Sequence, residues 1–127
     1  MSRQIISTDH APAAIGPYSQ AVVHNGVVYC SGQIALDPES GALVDGDVTK
    51  QTLQALHNLG AVLKAAGSSF DQALRLTVYL KDMNDFGAVN EVYSTFFSAD
   101  PPARACVEVA RLPRDVLVEI DAIAAVD

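Results

Sequence analysis

The chain has 127 residues, 50% of them hydrophobic and 18% charged, which suits one folded domain over 1–127 and is too apolar for disorder. With 15 acidic and 8 basic side chains its formal net charge is −7, a surface that repels phosphate backbones and anionic membranes. Nucleic acid and membrane are therefore not expected as partners, although a few basic groups in a cleft suffice for one small anion.

The first ten residues lack the apolar core of a signal peptide. The longest uninterrupted apolar run, 122–126, is far below the roughly 20 residues of a membrane helix. Two cysteines, Cys30 and Cys106, make no disulfide framework, and no Cys/His spacing suits zinc. The expectation is a cytoplasmic protein with free thiols and no zinc site.

In chain order, Val22-Val23 and Val27 to Cys30 flank Asn25-Gly26, the pair best suited to a tight hairpin turn. Asp37-Pro38-Glu39-Ser40-Gly41 is a further turn. Over 48–66, Leu53, Leu56, Leu59, Val62 and Leu63 recur at helical spacing, with Asp47 as N-cap and Gly67 as the C-terminal stop. The spacing changes to period two over 73–81, placing Leu74, Leu76, Val78 and Leu80 on one strand face and Arg75, Thr77, Tyr79 and Lys81 on the other. A second helix carries Phe86, Val89, Tyr93 and Phe96 on one stripe, with Asp82 or Asn84 near its start, and Pro101-Pro102 opens the next extended segment. Strands at 103–111 and 116–126 complete the chain. The pattern is an α+β fold: a mainly antiparallel sheet with two helices on one face. Its other face mixes apolar and charged residues, whose apolar share self-association would hide.

Two charged residues stand in otherwise apolar terminal strands. Arg104 sits among Ala103, Ala105 and Cys106, and Glu119 between Val118 and Ile120. Each is either an exposed or paired strand residue or a working group, the guanidinium for a carboxylate and the acid for a water or proton. A direct hairpin between the last two strands would set Glu108 against Glu119, so either the register differs or a cation or proton lies nearby. Ser31-Gly32 is a strand-ending turn or a place where a hydroxyl and an N–H face a ligand. Tyr18 packs or hydrogen-bonds, and Asn90 has a capping or inter-element bond as its plain role. Cys106 has no neighbouring His, Lys or helix N-terminus to make it a nucleophile. His10, His24 and His57 are too scattered for a catalytic triad or metal site.

Residues 11–20, Ser31-Gly32-Gln33-Ile34, 78–86 (Val-Tyr-Leu-Lys-Asp-Met-Asn-Asp-Phe), 102–113 and 118–124 together resemble the reactive-intermediate deaminase (Rid) family, also called YjgF or L-PSP. The block Pro-Ala-Arg-Ala-Cys-Val-Glu-Val at 102–109 is the most specific of these, and the likeness runs along essentially the whole chain. The resemblance implies a chorismate-mutase-like fold, a homotrimer with clefts between subunits, and cofactor-free hydrolysis of 2-imino acids, released as enamines by pyridoxal-phosphate enzymes, to 2-ketoacids and ammonia. It also implies that Arg104 binds the substrate carboxylate and Glu119 positions water, with Tyr18, Ser31, Gly32, Asn90 and Cys106 (through its carbonyl) around the ligand. The alternatives are a module that binds a small carboxylate or ketoacid, an endoribonuclease or translation inhibitor, and a deaminase confined to one catabolic route.

Overall fold

The computed structural model describes residues 2–97 and 99–127. Its elements are β1 (Gln4–Ile6), β2 (Ala21–His24), β3 (Val27–Gln33), α1 (Val48–Ala65), β4 (Ala73–Leu80), α2 (Phe86–Ser94), β5 (Ala103–Glu108) and β6 (Val118–Ala125).

Local chemistry sets several boundaries as expected. Asn25 and Gly26 both have positive φ, 51° and 75°, so the β2–β3 hairpin closes with the turn geometry that matches strand twist. Asp37 Oδ1 accepts the N–H groups of Glu39 and Ser40 at 2.8 and 3.0 Å, and Gly41 takes φ 73°. Helix α1 starts where Asp47 Oδ1 accepts the Lys50 N–H at 3.0 Å. It ends in paired C-terminal bonds, Ser68 N–H to Leu63 O and Gly67 N–H to Lys64 O, which the left-handed Gly67 permits.

The sheet has the order β1-β2-β3-β6-β4-β5, antiparallel throughout except for the parallel pair β4·β5. Sequential pattern reading misses two features of it. The three-residue β1 has too little length to show alternation, and β6, last in the chain, inserts between β3 and β4. The hairpin between the last two strands therefore does not form. Tyr79 stands opposite Glu119, Leu80 opposite Glu108, and the two glutamates never face each other. Glu108 instead accepts the Met83 N–H at 2.8 Å.

Leu56, Leu59, Val62 and Leu63 of α1 close over Leu76, Val78, Leu80, Val118 and Ile120, all fully buried. Packing of this kind stabilises by about 1.5–3 kcal/mol per large side chain. Two leucines, Leu53 from the helical stripe and Leu74 from the apolar strand face, are exposed instead. Leu53 is 43% exposed on the flank of α1, and Leu74 is 50% exposed because the register shifts between Ala73 and Arg75. Helix α2 packs against α1 through buried Val89 and Tyr93, and a 3-10 turn at Met83–Asp85, capped by Asp82, precedes it. The uncovered sheet face shows Tyr29 and Val107 exposed among Tyr79, Glu119 and Asp121. No described helix is long and apolar enough to cross a membrane.

Candidate functional site

Paired residues of neighbouring strands point to the same side of a sheet, and successive residues to opposite sides. Arg104 pairs with Leu76 and Cys106 with Val78, so both belong to the helix-covered side. Glu119 pairs with Tyr79 and belongs to the uncovered side. The residues singled out from the sequence are thus divided between two faces.

On the helix side, at the β5 edge, α2 builds a seat for Arg104. Its guanidinium lies 4.8 Å from the centre of the Tyr93 ring and 5.4 Å from that of Phe86, and Nη1 donates to Asn90 Oδ1 at 2.6 Å. Two aromatic faces and one amide hold the fork while the remaining donors stay open. Asn90 therefore has the inter-element bond foreseen as its plain role. Asn90, Tyr93, Phe97, Pro101, Pro102 and Arg104 border a recess of about 530 Å³. Half-buried Cys106 lies two residues along the same strand, its thiol pushed up by burial and pulled down to a lesser degree by Arg104. It is a poor nucleophile at neutral pH.

On the other side, Tyr18, Ser31, Gly32 and Glu119 line one recess of about 560 Å³ with Ile15, Pro113 and Arg114. The β3·β6 register breaks between Cys30 and Gln33, so Ser31 and Gly32 sit in the irregularity without partners in register on β6. Ser31 is committed within the chain as a donor: its hydroxyl goes to Ser19 O at 2.6 Å and its N–H to Gln20 O at 2.9 Å. Its hydroxyl oxygen still has acceptor capacity toward the recess. Tyr18 Oη accepts the Ile15 N–H at 3.3 Å and keeps its own proton to donate. Gly32 leaves room for the Glu119 side chain, and its backbone angle is not a left-handed one. A methyl there would meet Glu119 Oε2, with Cδ only 2.8 Å away. Glu119 is half-buried, and burial, followed by the charge of Asp121, pushes its carboxyl above the usual range.

Reading the sequence missed the aromatic seat, because Phe86 and Tyr93 appear there as one apolar helix stripe. It also passed over Asp121, although the signal was present: Asp121 lies two residues after Glu119 and so shares its strand face. Among the described residues, no three His, Cys, Asp or Glu side chains are grouped to hold a metal ion.

The sequence model of the Endoribonuclease L-PSP family matches residues 8–126. A protein of Mus musculus named 2-iminobutanoate/2-iminopropanoate deaminase is 58% identical over 122 residues, covering 96% of this chain and 90% of its own length. The solved structure of RidA from the Antarctic bacterium Psychrobacter superposes with a TM-score of 0.93 at 44% identity, over 97% of this chain and 99% of that one. The structure of TdcF from E. coli, solved with bound serine, gives a TM-score of 0.93 at 46% identity, over 98% and 99% of the two chains.

Proposed function

The chain belongs to the Endoribonuclease L-PSP family, the Rid proteins of the sequence comparison, and from that premise we propose that it is a 2-iminobutanoate/2-iminopropanoate deaminase. It hydrolyses 2-imino acids and their enamine tautomers to 2-ketoacids and ammonia. The observation that carries this reading is the seated Arg104 guanidinium, a fixed cationic fork beside an open recess in a chain of net charge −7. Such a fork suits a carboxylate, and the imine carbon next to that carboxylate is already electrophilic when protonated.

The remaining chemistry needs placement and proton transfer. Glu119 takes a proton from water as the water oxygen bonds to the imine carbon and the C=N pair moves onto nitrogen. It then returns that proton to the nitrogen of the carbinolamine; the C–N pair leaves with ammonia as an oxygen lone pair forms C=O, and the hydroxyl proton passes to the freed Glu119 carboxylate. No electrons are exchanged with an outside carrier. Tyr18, Ser31 and Gly32 line the water side, while Asn90 and the Cys106 carbonyl flank the carboxylate side.

Arg104 and Glu119 lie on opposite faces of one sheet, so each catalytic cleft draws them from two copies. A homotrimer supplies three such clefts and covers the exposed apolar residues of the open face. The same reading places this single-domain enzyme in the cytoplasm, with pyridoxal-phosphate enzymes that release enamines.

Imine loss measured in competition with semicarbazide tests the activity. Arg104→Ala is expected to lose roughly 10- to 150-fold in kcat/KM per charge-assisted hydrogen bond removed. Mixing refolded Arg104→Ala and Glu119→Gln chains should restore about one quarter of wild-type clefts if assembly is random. Full activity of Arg104→Ala defeats the carboxylate assignment, and no recovery on mixing defeats the shared cleft. The endoribonuclease label has the family description on its side, but a net charge of −7 opposes binding to an RNA backbone. A sensing module would bind ketoacid while depending on Arg104 alone, so the loss of turnover in Glu119→Gln separates it from an enzyme.

A further inference from the structure

In the β4·β6 pair, Tyr79 is the direct cross-strand neighbour of Glu119, and Thr77 that of Asp121. Facing side chains there start about 4.5–5.5 Å apart at Cβ, with the diagonal neighbour still within reach of an aromatic residue. Tyr79 uses the diagonal: its hydroxyl passes Glu119 and donates to Asp121 Oδ2 at 3.1 Å. Among the described residues, the Glu119 carboxylate consequently accepts no hydrogen bond, although a phenol is its nearest neighbour in register.

The other groups around Glu119 do not fill that vacant role. Gly32 of β3 has no side chain, and Tyr18 Oη, which accepts the Ile15 N–H and still has its own proton, donates to neither Glu119 oxygen among the described residues. Arg114, in the same recess, points Nη1 at Gly41 O, 3.2 Å away. On β5, Val107 beyond Tyr79 is uncharged.

We propose that Asp121 is a positioning residue for Glu119: it captures the Tyr79 hydroxyl, so that both Glu119 oxygens stay open to the recess, and it sets a second carboxylate behind them. The inference rests on the reading of Glu119 as the proton carrier. An open carboxylate can meet water and then nitrogen without first breaking a bond to the protein. The second negative charge makes it a more willing proton acceptor, in keeping with the upward displacement of the Glu119 carboxyl by burial and by Asp121. Burial and the Asp121 charge also push the Tyr79 phenol up, so it stays protonated as a donor.

The test is titration of Glu119 by carbon-13 NMR of its side-chain carboxyl in the assembled protein, assigned by its loss in Glu119→Gln, alongside the acid limb of kcat/KM. Asp121→Asn keeps an acceptor for Tyr79 and removes the charge, and should move both titrations to lower pH. Asp121→Ala also releases the hydroxyl to Glu119 and should move them further. Tyr79→Phe retains the charge and removes the hydroxyl, so the Glu119 titration should stay in place or rise. A Glu119 titration unchanged in Asp121→Asn overturns the proposal, as does a fall in Tyr79→Phe equal to that in the Asp121 variants. If Asp121→Asn does not fold, Tyr79→Phe decides by the direction of its shift. Normal turnover by Glu119→Gln would instead remove the catalytic premise, and the NMR titration keeps the two failures apart.

Discussion

The two faces of the sheet treat their charged residues in opposite ways. On the helix-covered side, Arg104 is seated by its own chain, with aromatic rings at 4.8 and 5.4 Å and an amide acceptor at 2.6 Å, and keeps its other donors open. On the open side Glu119 receives burial and a like charge, and Tyr79, the donor closest in register, is bound to Asp121. A cation that must recognise a carboxylate gains from being held still, because less side-chain freedom is lost when the ligand binds. An acid that must accept and return a proton gains from the reverse, since a carboxylate stabilised by donors is a weak base. In the proposed reading the chain builds a seated binding half and an open reactive half, which a second copy would bring together.

The sharpest way to break this contrast is Gly32→Ala. Its methyl needs the space of the Glu119 carboxyl, whose Cδ lies 2.8 Å from the position of the new atom. Displacing the proposed proton carrier should cost on the order of 10²-fold or more in kcat, with thermal unfolding nearly unchanged because that backbone position is not left-handed. A normal kcat would show that Glu119 need not occupy this place.

On the other face, Tyr93→Leu removes the closer ring beneath Arg104. The loss of about 0.5–2 kcal/mol should appear as roughly a 2- to 30-fold rise in KM, while Tyr93→Phe keeps the ring and a near-normal KM. A fall in kcat with unaltered KM would place Tyr93 among the reactive groups instead.

The smallest expected effect is on stability. The Glu119 carboxyl is raised above its ordinary 4.5, so the folded state binds protons more tightly than the unfolded state. Its favourable contribution is complete below 4.5 and is lost as pH rises through the folded value. Glu119→Gln should therefore unfold at a higher temperature than wild type at pH 7, with the gap closing below pH 4.5. A lower Tm for the variant at pH 7 would mean that the assembled cleft stabilises the ionised acid.

Much of the local architecture was legible in the residues. Asp47 and Gly67 bracket α1 because a carboxylate cap and a left-handed stop act within a few residues. Asn25-Gly26 closes its hairpin for a similarly local reason. Arg104, Glu119 and the five residues around them could also be named in advance, through the resemblance carried by 102–109 and the shorter motifs, whereas Phe86, Tyr93 and Asp121 were not read as site residues. What could not be read was their mutual arrangement. Strand β6 enters between β3 and β4 by contacts across long stretches of chain, which alternation within one strand does not encode. Without that insertion the Tyr79–Glu119 register, and hence the Asp121–Tyr79 bond, is invisible.

Sequence by itself thus determined the α+β class, the ends of α1, the hairpin and the family, because capping, turn conformation and side-chain period depend on neighbours along the chain. It also determined that 8 basic groups among 15 acidic ones leave little attraction for a nucleic-acid backbone. Tertiary structure alone decided that Arg104 and Glu119 point to opposite faces, that α2 supplies an aromatic seat to one, and that Asp121 draws a hydroxyl away from the other. The face on which a strand residue emerges follows from its partner strand's register, and that register is chosen by burial of the whole core rather than by any short segment.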